Sequence, residues 1–313
     1  MSSSLNYFNF SKFKDKYLLT NDLGNYIFLS EEQFKKLYSD TYGKDKQLYD
    51  KLCEKYFIIG EDKEFSINEA ARQLREHKNY LFEGTQLHIF VLTTNCNQNC
   101  IYCQASANTF GNLKKVMDRE TAEKSVDIAL QSPSKSLSFE FQGGEPLMNF
   151  EILKHIVEYT KEKNKSLNKE ISFNLVSNLT LASDEIIEFL IDNGISIATS
   201  IDGDEYVHNQ NRPYNGGSSF KIVKEKINSI NNLYKEKNKK ARVQAIQTTT
   251  KFSLDRRKEI IDTYVELEME SIFIRPLTPL GNSKDSWSKI GYTAEEFLAF
   301  YRKCCDYIKE LNS

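Results

Sequence analysis

The sequence predicts an α/β protein: a partial (β/α)6 TIM-like barrel of parallel strands, preceded by a small N-terminal module of a β-hairpin and helices. Three observations carry this expectation. Apolar, β-prone runs recur six times from about residue 86, at 87–93, 137–141, 171–176, 195–200, 242–248 and 272–275. Helical periodicities separate them. The first 70 residues show a different pattern, two short β-rich runs around a turn and then capped helices. At 313 residues the chain has room for one large α/β domain and a smaller one.

In the N-terminal part, runs at 16–20 and 26–29 flank Asn21-Asp22-Leu23-Gly24-Asn25, a hairpin signal. Ser30-Glu31-Glu32-Gln33 matches the capping box and opens a helix through Phe34, Leu37 and Tyr38. A second helix holds Leu48, Leu52 and Tyr56. We place this module at residues 1–70, a charged connector with a helical middle at 71–85, and the core at 86–313.

Within the core, helices are expected at 121–130, 150–162, 184–192 and 259–267. Phe220, Val223, Ile227, Ile230 and Tyr234 fall on one face of another. Thr293-Ala294-Glu295-Glu296 is a capping box for the last. Strand–helix repeats of this kind build parallel sheets with right-handed crossovers, either as most of an eight-fold barrel or as a doubly wound sheet. In both, reactive groups sit on the loops after the strand C-termini.

Composition narrows the function. The hydrophobic fraction is 40%, with 20 Phe and 17 Tyr, so a packed core is expected. The net charge of -2, from 42 basic and 44 acidic residues, leaves no electrostatic footprint for nucleic acid. No run approaches the length of a membrane span, and the first residues have no apolar signal core, which points to the cytoplasm. Of six cysteines, three fall within eight residues, and Cys304 and Cys305 are adjacent. That pattern suits a metal site in a reducing compartment better than a disulfide framework.

Those three are Cys96, Cys100 and Cys103, a C-x₃-C-x₂-C spacing directly after the first core strand. Three thiolates on one tight loop can hold three irons of a [4Fe–4S] cube and leave the fourth open to a ligand. A missing protein ligand is the mark of a working metal site, by analogy with catalytic zinc. Structural zinc is the competing reading; it would need a fourth ligand from His88, Cys53, Cys304 or Cys305. The second core strand ends in Gln142-Gly143-Gly144-Glu145-Pro146. Its glycines would let the backbone approach a ligand and expose amides, and Glu145 could accept hydrogen bonds from an ammonium group. An ordinary Gly-Gly-Pro loop is the alternative.

The triplet and the Gly-Gly-Glu-Pro loop together resemble the radical S-adenosylmethionine (SAM) superfamily. The resemblance implies that Cys96, Cys100 and Cys103 bind a [4Fe–4S] cluster. Tyr102 stands at the usual aromatic position before the third cysteine, and Gly143, Gly144, Glu145 and Pro146 hold the methionine amino group of SAM. It further implies cofactor contacts from Ser177 and Asn178 after the third strand, Ser200 and Asp202 after the fourth, and Arg212 in the next segment. For Ser200 and Asp202 helix capping is the competing role, and for Arg212 a surface ion pair.

More narrowly, the chain is similar to the radical maturases of the His-Xaa-Ser peptide-modification system. The stretches Leu87-His88-Ile89-Phe90-Val91-Leu92-Thr93, Thr199-Ser200-Ile201-Asp202-Gly203 and Ser271-Ile272-Phe273-Ile274-Arg275-Pro276-Leu277 carry that likeness. Members of this group usually continue into a cysteine-rich (SPASM-type) extension with auxiliary clusters. The sequence stops at Ser313 without one, and Cys304 and Cys305 read as ordinary thiols. The activity that the resemblance implies is reductive cleavage of SAM to a 5′-deoxyadenosyl radical that takes hydrogen from a peptide or small protein. An external donor such as flavodoxin or ferredoxin supplies the electron. A sulfatase-maturase-like, formylglycine-forming enzyme and a non-catalytic iron–sulfur partner subunit are the alternatives. No acid–base dyad or triad stands out; Gln142, facing the same mouth, is the candidate substrate contact. The N-terminal module has the outline of a leader-peptide recognition domain, or of a cap on an incomplete barrel.

Overall fold

The computed structural model describes residues 4–59, 63–106 and 115–313. Two compact units divide the chain, Met1–Gly84 and Thr85–Ser313.

The first unit holds strands β1 (Ser4–Leu5), β2 (Asn9–Phe13), β3 (Lys16–Thr20) and β4 (Tyr26–Ser30), helices α1 (Glu31–Tyr38) and α2 (Lys46–Glu54), strand β5 (Ile58–Ile59) and helix α3 (Lys63–His77). β2, β3 and β4 form an antiparallel sheet in that order, and β1 pairs with β5. The hairpin turn is built as the sequence suggests. Asn21 Oδ1 accepts from the Leu23 and Asn25 amides, and Gly24 supplies the positive φ of 79°. The Ser30–Gln33 capping box is present in both directions. Leu19, Ile27, Leu29, Leu37, Leu48, Leu52 and Phe57 close the core of the unit. The sheet has a third strand, β2, whose five residues are all exposed. Helix α3 is the helix expected in the charged stretch that follows, and it runs through residue 70.

The second unit alternates strands and helices: β6 (Leu87–Val91), α4 (Arg119–Leu130), β7 (Ser136–Gln142), α5 (Phe150–Leu167), β8 (Glu170–Val176), α6 (Asp184–Asp192), β9 (Ser196–Ser200), α7 (Glu205–Asn211), α8 (Ser219–Glu236), β10 (Gln244–Thr248), α9 (Arg257–Glu266), β11 (Phe273–Arg275), α10 (Asn282–Ile290) and α11 (Ala294–Leu311). Six strands pair in parallel in the order of the chain, β6 through β11. A doubly wound sheet would reverse direction at a switch point. This sheet does not, so the unit is a partial (β/α)6 barrel. Each strand turns one set of side chains to the helices and the other to the barrel lumen. On β7, Leu137, Phe139 and Phe141 pack against the helices, while Ser138, Glu140 and Gln142 face inward and stay half-buried. On α8, Phe220, Val223, Ile227, Ile230 and Tyr234 are buried, the face that the periodicity marked. No helix among the described residues is long and apolar enough to cross a membrane.

Candidate cluster and cofactor site

At the C-terminal end of the strands lies a cavity of about 240 Å³. Cys96, Cys100 and Cys103 line it, with Tyr102, Gln142, the Gly143–Glu145 loop, Ser177, Asn178, Ser200 and Arg212. The loops after four successive strands thus meet where the barrel rule puts reactive groups.

The cysteine loop is clamped by backbone hydrogen bonds. The Gly144 amide donates to the Thr93 carbonyl at 2.8 Å and the Glu145 amide to that of Asn95 at 2.7 Å. A Cβ on Gly143 would lie 2.4 Å from Thr93 O, and one on Gly144 2.1 Å from Asn95 O. Both glycines therefore exist so that this loop can rest directly on the cysteine loop. The crowding atoms are main chain, and both glycines also line the cavity. On another side, the Asn99 and Ile101 amides donate to the Pro213 and Asn211 carbonyls, each at 3.0 Å. Asn178 Nδ2 donates to Asn97 Oδ1 at 2.9 Å. After β11, Gly281 turns with φ 61°, where a Cβ would lie 2.3 Å from Cys103 O, and the Asn282 amide donates to that same oxygen at 2.9 Å.

Below the loop sits a buried polar network centred on Asp202. Its Oδ2 accepts from Tyr102 Oη at 2.6 Å, Asn211 Nδ2 at 3.1 Å and Arg212 Nε at 3.1 Å, and its Oδ1 accepts from the Thr248 amide at 3.2 Å. Arg212 stacks over the Tyr102 ring at 5.3 Å and brings Nη1 to 3.9 Å from Cys100 Sγ. Burial opposes its charge, but Asp202 keeps the guanidinium cationic. Burial pushes the Cys100 thiol up to about 12, with Arg212 pulling the other way, and raises Cys96 as well. His208, fully buried on α7, is driven down to about 4 by desolvation and is neutral. Its Nε2 has no partner among the described residues.

Several expected cofactor contacts also hold the loops together. The Asp202 carboxylate is fully buried and occupied by the network, and it is absent from the cavity wall. Glu145 is 1% exposed; its carboxylate accepts from the Leu147 amide (3.0 Å), Ser177 Oγ (2.7 Å) and the Asn178 amide (2.8 Å). The Ser177 hydroxyl, on the cavity wall, donates to Glu145 and accepts from the Leu179 amide. Pro146 opens a short 3₁₀ turn and lies off the wall. Ser200 and Gln142 do face the cavity; the Gln142 amide donates to Glu140 Oε1. The sequence reading missed Arg275, Thr248 and Gly281. The first two occupy the ends of β11 and β10 on the cavity wall, where position at a strand terminus is the usable signal. Gly281 shows its purpose only through the close approach.

The residues present fit a thiolate-ligated cluster. The three thiols line one cavity, and three thiolates on one loop are a donor set for a cluster with one open position.

Fold and cavity together are those of a partial-barrel protein with three cysteines gathered at its mouth. The chain carries a radical SAM domain: residues 90–238 match the Radical SAM superfamily, whose cofactors are a [4Fe–4S] cluster and SAM. An uncharacterized protein of Methanocaldococcus jannaschii is 34% identical over 137 residues, 44% of this chain and 45% of its own. A cysteine-type anaerobic sulfatase-maturating enzyme of Clostridium perfringens is 32% identical over 124 residues, 38% of this chain and 33% of its own. The matched stretch thus spans less than half the length of these relatives. In fold the chain is similar to Streptococcus suis SuiB bound to its precursor peptide SuiA, with TM-score 0.53 and 15% identity over 99% of this chain and 71% of that one.

Proposed function

We propose that this protein is a radical SAM enzyme that modifies a peptide or small protein, of which a His-Xaa-Ser type precursor is the substrate class favoured by its sequence resemblance. One observation carries the reading: three thiols, the Gly-Gly loop and a buried cation share a single cavity at the mouth of a partial barrel. When bound, the cluster and cofactor would supply the one-electron chemistry that starts hydrogen abstraction from the substrate.

This chain's own residues bind and position. Cys96, Cys100 and Cys103 ligate the cluster, and their deprotonation accompanies metal binding, since burial keeps Cys96 and Cys100 protonated without it. Arg212 beside Cys100 offsets the negative charge of the thiolates. Ser200 offers a hydroxyl from the wall, and Asn178 braces the cysteine loop through Asn97. Gln142 faces the substrate. In the same reading, the first unit captures the leader of the precursor by strand addition to the exposed β2, and a flavodoxin or ferredoxin of the cytoplasm delivers the electron.

A second reading, a formylglycine-forming enzyme acting on a sulfatase, is favoured by the likeness to a sulfatase-maturating enzyme. Anaerobic reconstitution with assay of 5′-deoxyadenosine tests the shared chemistry; a reduced sample that releases none, matching a Cys100→Ala control, would end both readings. Deuterated candidate peptides then separate them. Deuterium reaching 5′-deoxyadenosine only from a sulfatase-type motif would defeat the first.

A further inference from the structure

We propose that Glu140 on β7 is a specificity-determining residue that receives the cationic head of a substrate Lys or Arg side chain, whose apolar stem lies along β6. The inference rests on the peptide-modifying reading and deepens it by naming the chemistry of the group that enters the lumen.

Glu140 sits on the inward face of β7, one inward-facing position below Gln142, and is half-buried. Its carboxylate accepts from the Gln142 amide, and among the described residues it makes no ion pair. It lines a second cavity of about 320 Å³ deeper in the barrel, and Val176 belongs to the walls of both cavities, so the lumen continues downward from the cluster site. Lys240, Arg242 and Glu270 also line this second cavity. Arg242 is engaged by Glu268 at 3.1 Å and Glu270 at 3.7 Å, and Arg275 donates to Gln104 at 3.1 Å.

Filling the lumen takes the Glu140 carboxylate out of water. Burying a carboxylate that holds one hydrogen bond is penalised, so a group that fills this space is favoured when it brings a positive charge or a further donor to it. The neighbouring strand indicates what the rest of that group is. Ile89 is the register partner of Glu140, with Leu87 opposite Ser138 and Val91 opposite Gln142. Leu87, Ile89 and Val91 are 49%, 51% and 50% exposed, an apolar stripe on the lumen face of the sheet's edge strand. A carboxylate beside an aliphatic stripe complements a side chain that is apolar along its length and cationic at its end, as Lys and Arg are. A substrate Glu in the same place would meet a like charge.

The test uses the full chain, reconstituted anaerobically, loaded with SAM and immobilised. Three heptapeptide pools with randomised flanks carry Lys, norleucine or Glu at the centre, and captured peptide is quantified by mass spectrometry. Wild type is expected to retain the Lys pool over the norleucine pool by roughly tenfold, the scale of one charge-assisted hydrogen bond. Glu140→Gln, checked for folding by its melting midpoint, is expected to bring that ratio near one, and Glu140→Lys to turn preference toward the Glu pool. Equal capture of Lys and norleucine by wild type, or a ratio unchanged in Glu140→Gln, overturns the proposal. Should Glu140→Lys not fold, Glu140→Gln alone decides. Absence of 5′-deoxyadenosine from reduced wild type would instead sink the enzymatic reading, so the two failures are separate.

Discussion

The upper wall of the cavity and the lumen beneath it are built from the same strands but treated differently. Above, the cysteine loop is fastened by main-chain bonds from the Gly-Gly loop, from the end of α7 and from Asn282, with Asp202 saturated below it. On the facing wall and beneath it, Ser200, Arg275 and Glu140 present side chains with few internal obligations. Preorganisation is concentrated around the cysteine loop, and adaptability on the open wall.

The largest effect that would sharpen this contrast comes from Cys100→Ala. Removing one of three ligands is expected to abolish the visible absorption of the reconstituted cluster and all SAM-dependent 5′-deoxyadenosine release. Gly144→Ala should come next. Its methyl would collide with the Asn95 carbonyl, displacing the cysteine loop, and most of the iron bound per chain should be lost in a metal assay. Retention of full iron content would show that the glycine clamp is dispensable.

Asp202→Asn keeps the shape of the network but strands the Arg212 cation, and should cost about 3–5 kcal/mol in denaturant unfolding. A buried neutral His208 makes stability depend on pH. Its folded value near 4 lies below its ordinary value of 6.5, so the unfolded chain binds the proton first. Stability is therefore complete above about pH 6.5 and falls by up to ~3 kcal/mol as the pH drops to 4; His208→Asn should flatten that slope. The smallest effect belongs to the open wall. Arg275→Gln, a half-buried side chain with one hydrogen bond, should shift unfolding by no more than about 0.5 kcal/mol. A cost comparable to Asp202→Asn would erase the distinction between the two walls.

Much of this is legible in the chain's one-dimensional pattern. Six β-prone runs locate six strands because inward and helix-facing positions alternate over a hydrophobic layer. β2, exposed throughout, and α10, polar through Asn282-Ser283-Lys284-Asp285, have no such pattern to announce them. For the site, spacing suffices to find the thiols and the Gly-Gly loop, since both are local in the chain. Roles are harder. Glu145, Ser177 and Asp202 are polar residues at strand ends, which is how a ligand contact and an internal strut both look in one dimension. Only the count of donors around each oxygen tells them apart.

The turn at Gly281 carries a consequence for biogenesis. Its fit against the Cys103 carbonyl joins the first core loop to the loop after the final core strand. A nascent chain therefore exposes its clustered thiols long before the residues that secure their loop have left the ribosome. The mature geometry of the loop is a late product of translation, complete only once residues 281 and 282 have been added.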